Sequence, residues 1–368
     1  MDLGRALITI VLFLVVLGAL VLVHEFGHFL TARAFRVRVL EFGIGFPPRA
    51  KVLGLRGETL WTLNWLPIGG FVKLEGEDGD GAEDPRSFTA QRLPIRLAIL
   101  VAGVVMNVVL AFSIFVGIAW LATPVAGITV PIVQADSPAQ QAGIVAGDVI
   151  VKLDGRGYDL YGGSILGGIR EKAGQTVTLT VRHADGSVED LRATLRSGAD
   201  AADRGALGIS ATQEQPFESV FLDEYASRPL DQALGIGVME VGRWGGLIVG
   251  GLGDLARGFI EDPTAPPPAA GPIGIATQIG DVFFGAGWIM TLYVVALLSV
   301  NLAVVNILPF PPLDGGRMLM ITIKRVAGER VSVRAERLTY LVGFVFLFAF
   351  IIWITGFDIA RQLGGVTP

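Results

Sequence analysis

Four long apolar runs, at residues 6–30, 95–121, 288–310 and 339–357, govern what this chain can fold into. A helix needs about 20 apolar residues to cross the hydrocarbon core of a bilayer, where every backbone polar group must find its partner inside the protein. The runs therefore predict a polytopic α-helical membrane protein with about four transmembrane helices. Composition agrees, since 52% of the 368 residues are hydrophobic and 17% are charged. The first run is too long for a secretory signal, and no small-residue cleavage site precedes its histidines.

Loop charge sets the orientation. The segment 31–92 carries Arg33, Arg36, Arg38, Arg49, Lys51, Arg56, Lys73, Arg86 and Arg92; the segment 311–338 carries Arg317, Lys324, Arg325, Arg330, Arg334 and Arg337. Both are assigned to the cytoplasm. The segment 123–288 holds 20 Asp plus Glu against 11 Lys plus Arg and is assigned, with both termini, to the outside. The net charge of −5 and the lack of a basic surface run exclude a nucleic-acid binder.

Inside the first run lies "LVLVHEFGHFLTARAF", residues 20–35. An ionisable side chain at bilayer depth costs at least ~2.5 kcal/mol on insertion scales, so a cluster there marks function. His24 and His28 stand four residues apart and share a helix face, with Glu25 at its rim. In this H-E-x-x-H arrangement two neutral imidazoles bind zinc and the glutamate takes a proton from water. The chain has no cysteine, so the third ligand of a catalytic zinc must be His, Asp or Glu. His183 lies in the external segment beside a turn and reads as a solvated strand residue. Asp314, in "NLAVVNILPFPPLDGGR" (301–317), follows the inner end of the third helix at the depth of the histidines. Pro309, Pro311 and Pro312 end that helix, and Gly315-Gly316 let the chain turn back. A helix-ending turn capped by an aspartate is the alternative reading of Asp314, and the pairing with the histidines weighs against it.

Outside the membrane runs, "VTLTVRHADGSVEDLRATL" (177–195) alternates on both sides of Asp185-Gly186, a hairpin signal with a type I′ turn. "ADSPAQQAGIVAGDVIVKLDG" (135–155) reads as a turn, a short helix capped near Ser137, then a strand. Together these resemble a PDZ domain, which implies binding of an extended peptide or chain terminus by strand addition. "GETLWTLNWLPIGGFVKLEGE" (57–77) alternates and turns at Pro67–Gly70, as a membrane-associated β-hairpin with Trp61 and Trp65 as interface anchors. The expected order is therefore a first transmembrane helix with H-E-x-x-H (1–30), a cytoplasmic segment with the hairpin (31–94), a second helix (95–121) and an extracytoplasmic PDZ-like domain (122–197). A linker and membrane-surface helices (198–287), a third helix (288–316), a cytoplasmic segment (317–338) and a fourth helix with tail (339–368) complete it. Within 198–287, residues 229–260 read as one or two surface helices, with a further crossing as the rival.

"HEFGH" in the first helix, the PDZ-like insert, "GPIGI" at 271–275 and "NILPFPPLDGG" at 306–316 together resemble the bacterial site-2 protease family, intramembrane zinc metalloproteases, in its form with one PDZ domain. The resemblance covers nearly the whole chain. It implies one Zn2+ per chain held by His24, His28 and Asp314, with Glu25 as general base. It also implies that Asn306 supports the substrate carbonyl or oxyanion, with Asn301 a weaker candidate, and that the hairpin 57–77 pairs with unwound substrate. Asn107, with Gly103, matches a second-helix motif G-P-x-x-N in which Val104 here replaces the proline, and an interhelical hydrogen bond explains Asn107 equally well. Arg317 stands where relatives often have His.

The implied activity is hydrolysis within the membrane segments of single-span proteins, such as anti-sigma factors or signal-peptide remnants, in the bacterial inner membrane. The active site would lie near the cytoplasmic side, and the partners would be the substrate, a peptide end at the PDZ-like domain and the lipid bilayer. A metal transporter, in which Glu25 has no natural part, and a catalytically silent membrane scaffold, which would use the PDZ-like domain alone, are the alternatives.

Overall fold

Thirty-two residues without a proline make one helix, α1 (Leu3–Ala34), which Arg36 closes in the left-handed conformation at φ 61°. The chain continues through β1 (Val39–Arg56), β2 (Thr59–Leu74), α2 (Leu93–Leu121), β3 (Thr123–Thr129), β4 (Ile132–Val133), α3 (Pro138–Gln141), β5 (Val149–Leu153), β6 (Arg156–Asp159), α4 (Ile165–Glu171) and β7 (Thr176–Arg182). There follow β8 (Val188–Thr194), α5 (Gly198–Arg204), β9 (Ile209–Ser210), β10 (Ser219–Ala226), α6 (Leu230–Glu261), α7 (Pro272–Ile307), α8 (Asp314–Ala327) and α9 (Val333–Gln362). This computed structural model describes residues 3–77, 83–327 and 333–364. Arg330 and the tail residues 365–368, which entered the expectations above, lie outside the described residues. The chain divides into two units, Val116–Ile236 and the remainder.

Five described helices, α1, α2, α6, α7 and α9, are long and apolar enough to cross a membrane, one more than the sequence reading expected. The additional one is α6, expected as one or two surface helices but continuous over 32 residues. Its glycines and charges hid it. The buried Glu240 is engaged through one oxygen: its Oε2 accepts from the Tyr293 hydroxyl at 2.6 Å, Arg243 at 2.8 Å and Trp244 Nε1 at 3.1 Å. A carboxylate satisfied in this way no longer forbids a helix at membrane depth.

α7 is two helices in one. Gly287, at φ 78° and ψ −175°, breaks it, a conformation that glycine adopts without steric cost. Residues 272–286 run back along α1, from Ile279 beside Val16 and Leu20 to Phe284 under the Arg5 guanidinium at 4.7 Å. Residues 288–307 then return along α1 in the opposite sense, with Leu298 and Leu302 on the same apolar cluster. The "GPIGI" stretch starts the first half. The Asp358 carboxylate of α9, which is buried, accepts from the backbone N–H of Gly271 at 3.1 Å and of Gly274 at 2.8 Å. A Cβ at either glycine would come within 2.8 Å of that carboxylate, so the close approach itself requires glycine.

β1 and β2 form more than the expected hairpin. Phe42 lies opposite both Trp61 and Val72, and Ile44 opposite both Leu63 and Gly70, so the first half of β1 is flanked on both sides by halves of β2. The stretch 70–74 is one outer edge and 51–56 the other. The sequence reading missed this central stretch because the alternate positions of its Phe-Gly-Ile-Gly-Phe pattern are glycines, which are depleted in strands. Trp65 is exposed, as a membrane anchor would be, but Trp61 is not an anchor: it packs on Phe29 and Phe42 at ring distances of 5.5 and 4.7 Å.

The second unit is β-rich. Its sheet has the order β10-β3-β6-β5-β7-β8, with β4 paired to β9, over a core that includes Val130, Ile150, Leu179 and Leu207. Ser137 caps α3 as expected, its Oγ accepting from Gln140 N–H at 3.1 Å. The β7–β8 turn differs from type I′, because only Gly186 has positive φ, at 86°. Gly186 N–H instead donates to His183 O at 2.9 Å, a turn followed by a left-handed glycine. Residues 198–228, read as a linker, supply α5, β9 and the edge strand β10. Edge strands carry charge, and Asp223-Glu224 in β10 disguised the pattern.

Candidate metal centre

α1 brings His24 and His28 to one face, and the break after Ile307 returns Asp314 to meet them. His24 Nε2 and Asp314 Oδ2 are 2.8 Å apart, His28 Nε2 and the same oxygen 3.3 Å, and the two Nε2 atoms 3.2 Å. Tetrahedral zinc with bonds of ~2.0–2.2 Å sets its ligands roughly 3.3 Å from one another. The two-nitrogen, one-oxygen donor set thus fits zinc with little adjustment. The double glycine makes the return possible: a Cβ on Gly315 would strike the carbonyls of Ile307 and Leu308, and one on Gly316 the backbone at Phe310.

α2 supplies the other wall. His28 Nδ1 donates to the Ile99 carbonyl at 2.7 Å, which fixes its proton on Nδ1 and leaves Nε2 as a bare lone pair. Asn107, wholly buried, has its Nδ2 3.2 Å from His24 Nδ1, while its Oδ1 is buried without a partner among the described residues. Ser299 Oγ donates to the Asn107 backbone carbonyl at 2.8 Å and ties α7 to the same spot. Gly103 lies flat against both imidazoles, where a Cβ would come within 2.6 Å of His24 Cε1 and of His28 Nε2.

Glu25 stands beside this cluster, in ligand range of the two histidines. Its Oε2 accepts from Val72 N–H, on the outer edge of the sheet, at 3.1 Å. A cavity of about 60 Å³ lined by Glu25, His28, Val72, Asp314 and Arg317 adjoins it, large enough for water. Arg317 pairs with Glu77 at 2.5 Å and so joins the start of α8 to the end of the sheet. Asn306 is half-buried in the last turn of α7, outside the hydrogen-bonded cluster. Asn301 lines a separate apolar cavity of about 240 Å³ between α1 and the two halves of α7. His183 is far from being a bare solvated residue: its Nδ1 contacts the buried Asp148 at 2.9 Å.

A family model described as Peptidase family M50 matches residues 12–350. A protein of Brucella suis biovar 1, assigned by name as a zinc metalloprotease, is 30% identical over 364 residues, which cover 93% of this chain and 92% of that protein. A protein of Clostridium perfringens with the same assignment is 33% identical over 352 residues, covering 95% of this chain and 98% of the relative. A third, from Clostridium acetobutylicum, is 28% identical over 359 residues, covering 96% and 98%.

Proposed function

Since the chain belongs to peptidase family M50, the site-2 proteases, and is a zinc metalloprotease, we propose that it hydrolyses peptide bonds within the membrane segments of single-span proteins. The observation that carries the reading is the meeting of His24, His28 and Asp314 within 3.3 Å beside Glu25, with both histidines on a helix apolar enough for a bilayer. In this reading the three hold zinc and Glu25 is the general base. Zinc, when bound, supplies Lewis acidity, polarising the scissile carbonyl and lowering the pKa of water towards ~7.

The protein's own groups do the rest. Ile99 O holds the His28 ring in the tautomer whose Nε2 ligates. Turning the Asn107 amide end for end does the same for His24, because the unpartnered Oδ1 then accepts from Nδ1–H. Glu25 takes a proton from the attacking water and passes it to the leaving amine, and Asn306 supports the developing oxyanion. An intact helix shields its carbonyls, so the substrate must unwind, and each freed backbone group in lipid costs several kcal/mol. The outer edge at residues 70–74 is the receiver, since Val72 N–H points outward to Glu25 and can donate to the carbonyl of an incoming strand once Glu25 turns to water.

The second unit is read as PDZ-like. A cavity of about 410 Å³ between Leu166, Ile169 and Arg170 of α4 and the loop 205–209 suits a peptide or a new chain end. The basic segments support an inner-membrane orientation with the metal centre near the cytoplasmic side and the second unit outside.

The test is zinc content and cleavage measured together, on wild type and Glu25→Gln purified in detergent with a single-span model substrate. Stoichiometric zinc in both, with cleavage by the wild type alone, is the expected result. Cleavage by Glu25→Gln at the wild-type rate would remove Glu25 as the base.

A further inference from the structure

Below the C-terminal end of α1 is a concave site that no step of the proteolytic reading uses. A cavity of about 530 Å³ is lined by five arginines, Arg33, Arg36, Arg38, Arg56 and Arg86, and by one carboxylate, Glu58. Glu58 is taken by Arg86, with one contact at 3.1 Å, and Arg38 pairs outside the lining with Glu75 at 3.2 Å. Arg33, Arg36 and Arg56 have no carboxylate or carbonyl partner among the described residues. Two of them are nonetheless positioned, Arg33 over the Phe29 ring at 5.6 Å and Arg56 over Trp61 at 5.9 Å. Three unneutralised guanidiniums held around one cavity repel each other, and an anion is what relieves them.

Position and surroundings select the anion. α1 is apolar along its length and ends at Ala34, so Arg33 and Arg36 sit where a membrane-spanning helix leaves the hydrocarbon. The chain neighbours of two of these arginines, Phe35 and Leu55, are exposed apolar side chains, as is Leu53. A charged cavity bordered by exposed apolar groups at the level of lipid headgroups matches a ligand with an anionic head and acyl chains. The guanidinium fork binds phosphate oxygens in pairs, which a lysine does not.

We propose that this cavity binds the phosphate headgroup of an anionic phospholipid from the leaflet around the C-terminal end of α1, with room for a headgroup of two phosphates. The site rests on the membrane-spanning character of α1 and is independent of the catalytic assignment. A basic face that merely meets solvent and bulk headgroups would be flat and would discriminate little between lipids. This one is recessed and partly preformed.

The experiment uses the full chain, delipidated in a zwitterionic detergent, with lipid retention measured by native mass spectrometry. The probes are phosphatidylglycerol, diphosphatidylglycerol, phosphatidylcholine and inorganic phosphate. The wild type should retain the two anionic lipids in preference to phosphatidylcholine. Arg→Gln changes at 33, 36 and 56 should weaken that retention about fivefold each and roughly a hundredfold together. Arg192→Gln, in the other unit, is the control and should change nothing. Zinc content checks folding of the triple variant; if it falls, Arg36→Gln alone serves, because that side chain has no hydrogen-bond or ion-pair partner to lose among the described residues. Anionic lipid held equally by wild type and variants, or held no better than phosphatidylcholine, overturns the proposal. Displacement of lipid by millimolar inorganic phosphate would overturn the lipid assignment in favour of a soluble phosphate site.

Discussion

Gly103→Ala adds one methyl group to α2 and is expected to empty the metal centre. The new Cβ would lie 2.6 Å from His24 Cε1 and from His28 Nε2, where ordinary contact begins at 3.4 Å. Both rings must therefore withdraw by about 0.8 Å, or α2 must shift away from them, against a tolerance in metal–ligand distance of about 0.2 Å. Neither ring is free to do so, because His28 is bonded to Ile99 O and His24 faces the buried Asn107. A misplacement near 1 Å costs about 10²-fold in rate, and displaced ligands cost zinc affinity of the order of 10–100-fold or more. Gly117→Ala, on the same helix, is the control, since its Cβ meets nothing within 4 Å. That change should be neutral or stabilising by up to ~1 kcal/mol from helix propensity. The assay is zinc affinity by competition with a chelator, followed by cleavage at saturating zinc. If Gly103→Ala holds zinc and cleaves within threefold of the wild type, the packing of α2 against the imidazoles is not what fixes the ligands.

Asn107→Leu should lower zinc affinity about 10–100-fold, while Asn107→Asp, which keeps an acceptor for His24 Nδ1–H, should largely retain it; equal losses in both variants would point to packing alone. Asp358→Ala leaves the N–H groups of Gly271 and Gly274 without their acceptor and should cost about 1–3 kcal/mol for each group left buried, measured as a fall in thermal midpoint in one detergent. In the second unit the Asp148 carboxylate raises the His183 imidazole above its ordinary pKa of 6.5. The stabilisation from that pair is complete below the unfolded imidazole's pKa and is lost as pH rises through the higher folded one. Hydrogen-exchange protection of β7 and β8, corrected for intrinsic exchange, should therefore fall across this window in the wild type and stay level in His183→Gln.

What the sequence disclosed and what it concealed follow from range. His24, Glu25 and His28 are one helical turn, so their shared face is a matter of spacing, and the prolines and glycines around Asp314 announce a chain that stops and turns. The capping of α3 by Ser137 is equally local. Asn107, by contrast, meets His24 across 83 residues, and its importance depends on an unpartnered oxygen that only three dimensions reveal. Asp358 caps a half-helix 84 to 87 residues earlier in the chain. β10 hid behind Asp223 and Glu224, and α6 behind glycines and a carboxylate whose partner, Tyr293, is 53 residues away.

The reversal at Gly287 bears on which side of the membrane each stretch occupies. His24 and Asp314 touch, so the path from one to the other must cross the bilayer an even number of times. In the proposed topology α2, long and apolar enough to span, supplies one crossing and residues 288–307 supply the other. α6 and the half-helix 272–286 must then both cross or both fail to cross. The half-helix is several residues short of the ~20 that a span requires. In that topology parity keeps α6 in its company, and the two would enter the apolar layer and leave it on the side from which they came.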